Sequence, residues 1–119
     1  MQLLTIRREI LTSGIACVHL AGPLDIAGVN EVSLKFTTYT VTQRKTVIID
    51  LSEVTLITSI GIGMLISAAK GLRPHKAILV LLNPQPLVEK VIRLAGIDQI
   101  LPIEKDLDSA ITKITELSP

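Results

Sequence analysis

"VIIDLSEVTLITSIGIGML" occupies Val47–Leu65, and its reading decides the fold. With Lys45 and Thr46 ahead of it, "VIIDL" is a short continuous apolar run, the pattern of a parallel strand buried on both faces. The more polar "SEVTLITS" leads out of that strand. A helix is expected from about Ser59 to Leu72, opened by the Thr58–Ser59 pair and stopped by Gly71 and Pro74. A buried strand running directly into a helix is the repeating unit of an α/β sheet.

Ser59 admits two readings. It can be an ordinary helix cap, accepting a backbone N–H bond worth about 1 kcal/mol, or a hydroxyl that another protein modifies. Gly61 and Gly63 each cost a helix roughly 1 kcal/mol against Ala. They make sense where another backbone or a partner approaches closely, or where the first turn must stay pliable. With Ile62, Leu65, Ile66 and Ala69 turned to the sheet, Ile60, Met64, Ser67 and Ala68 are expected on the outside, a mostly apolar contact surface. A phosphate on Ser59 would add about −1.5 to −2 charges. The helix dipole would tolerate that charge, whereas a partner docked on the apolar face would have to bury it.

The flanking sequence extends the same alternation. Leu3–Ile10 and Ile15–Gly22 read as two strands of a hairpin turned at "LTSG". "GPLD" then breaks the second strand, and Asp25 is placed to cap a helix carrying Val29, Val32, Phe36 and Tyr39 on one face. Lys76–Pro84 holds another buried strand. Pro86 opens a helix over Leu87–Ala95 with a stripe of Leu87, Val88, Val91, Ile92 and Ala95, and Gly96 follows as its C′ residue. Asp98–Ile103 is expected as a short strand. A final helix is capped by Asp106, with Ile111, Ile114 and Leu117 as its stripe. The expected architecture is α/β, a mixed sheet of about five strands with right-handed crossovers and four helices mainly on one side.

Composition limits the function. The 119 residues suit a single domain over 1–119; 48% are apolar and only 2% aromatic, so the core is aliphatic. A net charge of +1, no basic block and few aromatics argue against nucleic-acid binding. A single cysteine, Cys17, allows no internal disulfide and fits a reducing compartment. The amino terminus has no leader pattern. The longest uncharged run, Val54–Ala69, falls short of the roughly 18 apolar residues a spanning helix needs. A cytoplasmic protein without direct membrane insertion is expected.

Chemistry-bearing residues are sparse. His19 lies within a strand and reads as structural, because the sequence places no partner beside it; His75 sits in a turn by Pro74. No metal-ligand spacing is present. Asp25, Asp50, Glu53 and Asp98 stand at no diagnostic interval, and "GIG" at Gly61–Gly63 lacks the remainder of any phosphate-binding motif. Neither an enzyme nor a cofactor is expected.

Three strings, "LAGPLD" (Leu20–Asp25), "VIIDLSEVTLITSIGIGML" (Val47–Leu65) and "LLNPQPLVEKVIRLAGIDQILPI" (Leu81–Ile103), resemble in order and spacing the STAS domain of bacterial anti-sigma factor antagonists. The resemblance spans nearly the whole chain. It implies a STAS fold in which Ser59 matches the phosphoacceptor, Gly61 and Gly63 match the family's glycines, and Asp25 matches the acidic residue of a loop near the partner surface. Thr58 departs from the Asp usual before the serine, and is itself an alternative acceptor; Ile60 is bulkier than usual. The implied partner surface is Asp25, Thr58, Ser59, Ile60, Gly61, Gly63 and Met64. The implied partners are an anti-sigma factor that is also a serine protein kinase and a serine phosphatase, around a monomer or weak dimer. Two other roles fit the same resemblance, a scaffold subunit of a multi-protein signalling complex and a subunit docked on a transporter ATPase.

Overall fold

In a computed structural model, which describes residues 2–117, the strands and helices alternate along the chain after an opening hairpin. Strands β1 (Thr5–Ile10) and β2 (Ala16–Leu24) form that hairpin. Helix α1 (Ile26–Tyr39), β3 (Val47–Ile57), α2 (Ser59–Leu72), β4 (Leu79–Leu82), α3 (Pro86–Leu94), β5 (Ile103–Glu104) and α4 (Leu107–Leu117) follow. The sheet order is β1-β2-β3-β4-β5, with β1–β2 antiparallel and every other pair parallel. The expected five-stranded mixed sheet with four helices is the observed one.

Alternation along β2, β3 and β4 divides the core between the two faces of the sheet. On one face Val18, Leu20, Ile49, Leu51, Leu79 and Leu81 pack with Phe36 of α1, Leu65 and Leu72 of α2, and Val88 and Ile92 of α3. On the other, Cys17, Ile48, Val80 and Leu82 pack with Ala110 and Ile114 of α4. Three helices therefore cover one side and one helix the other.

Several boundaries differ from expectation. Strand β2 does not stop at "GPLD" but runs to Leu24, with register shifts at His19/Ala21 and Gly22/Pro23. Gly22 takes φ +114 there, and Pro23 is tolerated because an irregular step needs no ladder donor. Its parallel partner is lengthened to match: "SEVTLI" stays in β3, with Glu53 opposite Ala21 and Ile57 opposite Leu24. Asp98–Ile103 is not a strand. Gly96 turns at φ +76, Ile97–Gln99 make a 3-10 turn, and only Ile103–Glu104 join the sheet.

Helix faces also shift. The buried positions of α2 are Gly61, Leu65, Ala68, Ala69 and Leu72. Ala68, expected outside, is buried, and Met64 is half-buried against the main core. In α3 the pair Val88 and Ile92, four residues apart, defines the inner face and leaves Leu87 76% exposed. Leu117 of α4 is likewise exposed.

Candidate partner-binding site

Because β2 and β3 run parallel with Leu24 beside Ile57, their carboxyl ends deliver two helix starts to one place. Asp25 caps α1 as expected, its Oδ1 accepting the Gly28 N–H at 2.8 Å. Thr58 holds the matching position ahead of α2, but its hydroxyl is used elsewhere. Both its Oγ1 and its backbone N–H donate to the Leu24 carbonyl, each at 3.1 Å. Thr58 thus ties α2 to the end of β2, and no Thr58 side-chain bond caps the helix. The capping role considered for Ser59 is not the observed one, since Ser59 is the first helical residue and lies exposed. First-turn N–H groups lack intrahelical partners and carry the positive end of the dipole.

Two glycines permit this crowding. A Cβ at Gly28 would stand 2.1 Å from the Pro23 carbonyl oxygen, and one at Gly61 would stand 2.7 Å from that of Leu24. No larger residue fits either place without moving backbone. Gly63 differs: among the described residues, and apart from its own helix backbone, nothing lies within 4 Å of its would-be Cβ.

The helix starts enclose a shallow depression of about 310 Å³ lined by Asp25, Ile26, Ala27, Thr58, Ser59 and Ile60. Ile26 and Ile60, at 64% and 45% exposure, form an apolar rim around one carboxylate and two hydroxyls. Of the residues singled out from the sequence, Asp25, Thr58, Ser59 and Ile60 converge here. Gly61 lies buried against Leu24, Gly63 is exposed, and Met64 is half-buried against the core.

A second polar cluster, unforeseen in the sequence, lies on the face of the sheet that carries α4. His19 Nδ1 lies 2.6 Å from Asp50 Oδ2 on β3, and its Nε2 lies 2.5 Å from Glu9 Oε1 on β1. Asp50 Oδ1 accepts the Ser52 N–H at 2.9 Å. Burial pushes the Asp50 carboxyl up, but the Ser52 hydrogen bonds and the His19 contact outweigh it and hold the group below its ordinary value. Cys17 shares this face, and burial, reinforced by Asp50 and Glu9 and opposed by Arg7, pushes its thiol up to about 12. The Glu9, Cys17 and His19 donor atoms all lie within 4.8 Å of one another. The signal for this cluster was the hairpin register: a turn at Gly14 sets Glu9 opposite Cys17 and Arg7 opposite His19. Asp50 becomes a partner of His19 only through the β2–β3 register.

The chain belongs to the STAS domain family, whose model matches residues 10–110. Its fold is that of an anti-sigma factor antagonist from Mycobacterium paratuberculosis, at 22% identity and a TM-score of 0.83 over 94% of each chain. The unphosphorylated anti-sigma factor antagonist SpoIIAA is also similar, at 24% identity and a TM-score of 0.76 over 94% of this chain and 97% of that one. The Bacillus cell fate determinant SpoIIAA in phosphorylated form matches at 23% identity and a TM-score of 0.68, over 92% and 99%. No curated protein matches the chain in sequence. Among the described residues no helix is long and apolar enough to cross a membrane.

Proposed function

We propose that this protein is an anti-sigma factor antagonist, a cytoplasmic binding module with no catalytic step of its own. The observation that carries the reading is the exposed Ser59 hydroxyl at the start of α2, set beside Asp25 and the apolar rim of Ile26 and Ile60. In the unmodified state an anti-sigma factor docks over this depression and covers the rim. That partner, acting as a serine kinase with ATP, transfers a phosphoryl group to Ser59, and a serine phosphatase removes it.

The physics of release lies at the interface. The phosphate brings about −1.5 to −2 charges to the amino end of α2, where the free N–H groups and the dipole accommodate it. The Asp25 carboxylate repels it, and among the described residues no cationic side chain lines the depression. A docked partner would have to desolvate that dianion against an apolar rim, which costs more than the contact returns. The switch therefore blocks an interface and leaves the helix intact. Thr58 is the poorer acceptor, because its hydroxyl already donates to Leu24.

Incubation with a candidate kinase and ATP, followed by mass spectrometry, is expected to place one phosphate on Ser59. Ser59→Ala should remove it, and Ser59→Asp should abolish partner binding while leaving the unfolding midpoint unchanged. Phosphate at Thr58 alone, or partner binding by Ser59→Asp equal to wild type, would sink this reading.

A further inference from the structure

The Glu9–Cys17–His19 cluster is separate from the Ser59 depression. We propose that it is a binding site for one divalent zinc-type cation, with Cys17 Sγ, His19 Nε2 and a Glu9 carboxylate oxygen as ligands and Asp50 as the carboxylate that orients the histidine.

The three ligands come together by strand geometry. Cys17 and His19 are two residues apart on β2 and share a face, and Glu9 stands directly across from Cys17 on β1. The three donor atoms lie within 4.8 Å of one another. Around a tetrahedral zinc ion, with bonds of about 2.0–2.3 Å, neighbouring ligand atoms are separated by roughly 3.3–3.8 Å. The His19–Glu9 pair, at 2.5 Å, must open to admit the ion, and the Glu9 side chain is the freest to adjust: it is 46% exposed and meets Arg7 in a loose 4.0 Å ion pair.

Asp50 supplies the second observation. It holds His19 by Nδ1 at 2.6 Å and is itself held by the Ser52 N–H. Metal-bound histidines typically donate their second ring N–H to a carboxylate, which fixes the tautomer and aims the other nitrogen at the ion. The ring is thus already oriented with Nε2 toward Glu9 and the solvent-exposed edge of the site. A thiolate, an imidazole and a carboxylate form a borderline-soft donor set that suits zinc or cobalt far better than magnesium or calcium. On binding, the ion replaces the Cys17 thiol proton and any proton held between His19 Nε2 and Glu9; these leave to solvent, and a water completes the fourth position. The bound ion would join β1 to β2 across the sheet.

The test uses the full, untagged chain with cobalt chloride and zinc chloride. One cobalt ion per chain is expected, with a near-ultraviolet thiolate-to-cobalt absorption band that one equivalent of zinc abolishes, and zinc should raise the melting temperature. Cys17→Ser should remove the band. Glu9→Gln, a change at an exposed side chain, should weaken zinc at least tenfold, and Asp50→Asn should weaken it about 10–100-fold. His75→Ala should bind as wild type. The proposal is overturned if no thiolate band forms, if folded Glu9→Gln binds zinc as tightly as wild type, or if His75→Ala abolishes binding.

Discussion

The two faces of the sheet are built on different terms. One is covered by α1, α2 and α3 over a continuous aliphatic core. The other has α4 over a smaller cluster and, beside it, the polar group of Glu9, His19 and Asp50. Face one is held by many non-directional contacts, so the strand residues that build it follow from hydrophobic period. Face two depends on which residues stand opposite one another across strands, a property of register.

Truncations on the two faces give the largest expected contrast. Leu65→Ala, at a fully buried site on the inner face of α2, should lose about 3–4 kcal/mol in urea unfolding, and Ile114→Ala on the inner face of α4 about 2 kcal/mol. Equal losses would show that the α4 side is as tightly built as the other. Met64→Glu sharpens the outline of the larger core. Met64 packs against it, so the carboxylate should cost about 1–2 kcal/mol; a neutral result would return Met64 to the surface.

Gly63→Ala separates stability from recognition. The added methyl meets open space within a helix, so stability should rise by about 0.5–1 kcal/mol. A simultaneous loss of partner binding would show that a docked surface, rather than this chain, requires the glycine. The smallest effect lies at the start of α4. Asp106 Oδ1 accepts the Ser109 N–H at 2.8 Å, and this bond holds its carboxyl below the ordinary 3.8. A lowered folded value means that the contribution is present above pH 3.8 and fades as pH falls through the folded value. The stability gap between wild type and Asp106→Ala, measured at neutral pH, should therefore narrow on acidification below 3.8.

Local chemistry was legible wherever a residue acts on its own neighbours. Asp25 and Asp106 cap the helices they precede, each through a side chain bonded three residues ahead. Gly96 turns the end of α3, and the apolar runs at Val47 and Leu79 are buried strands. Thr58 was legible as part of a helix start but not as a tie to Leu24, because that carbonyl lies 34 residues away in sequence. The rotation of α2 was not legible at Ala68 and Met64. Apolar residues fall on every side of that helix, so hydropathy alone leaves its inner face undefined, and close packing of Gly61 on Leu24 sets it instead.

The sequence by itself determined the succession of strands and helices, the aliphatic core and the helix start that carries Ser59, because each rests on periodicity or on bonds within a few residues. The tertiary structure decided the rest. The parallel register of β2 and β3 brings Asp25 beside Ser59 and His19 beside Asp50. Such pairings join residues more than thirty positions apart, and only the packed sheet sets Asp25 and Ser59 around one depression and His19 within hydrogen-bond reach of Asp50.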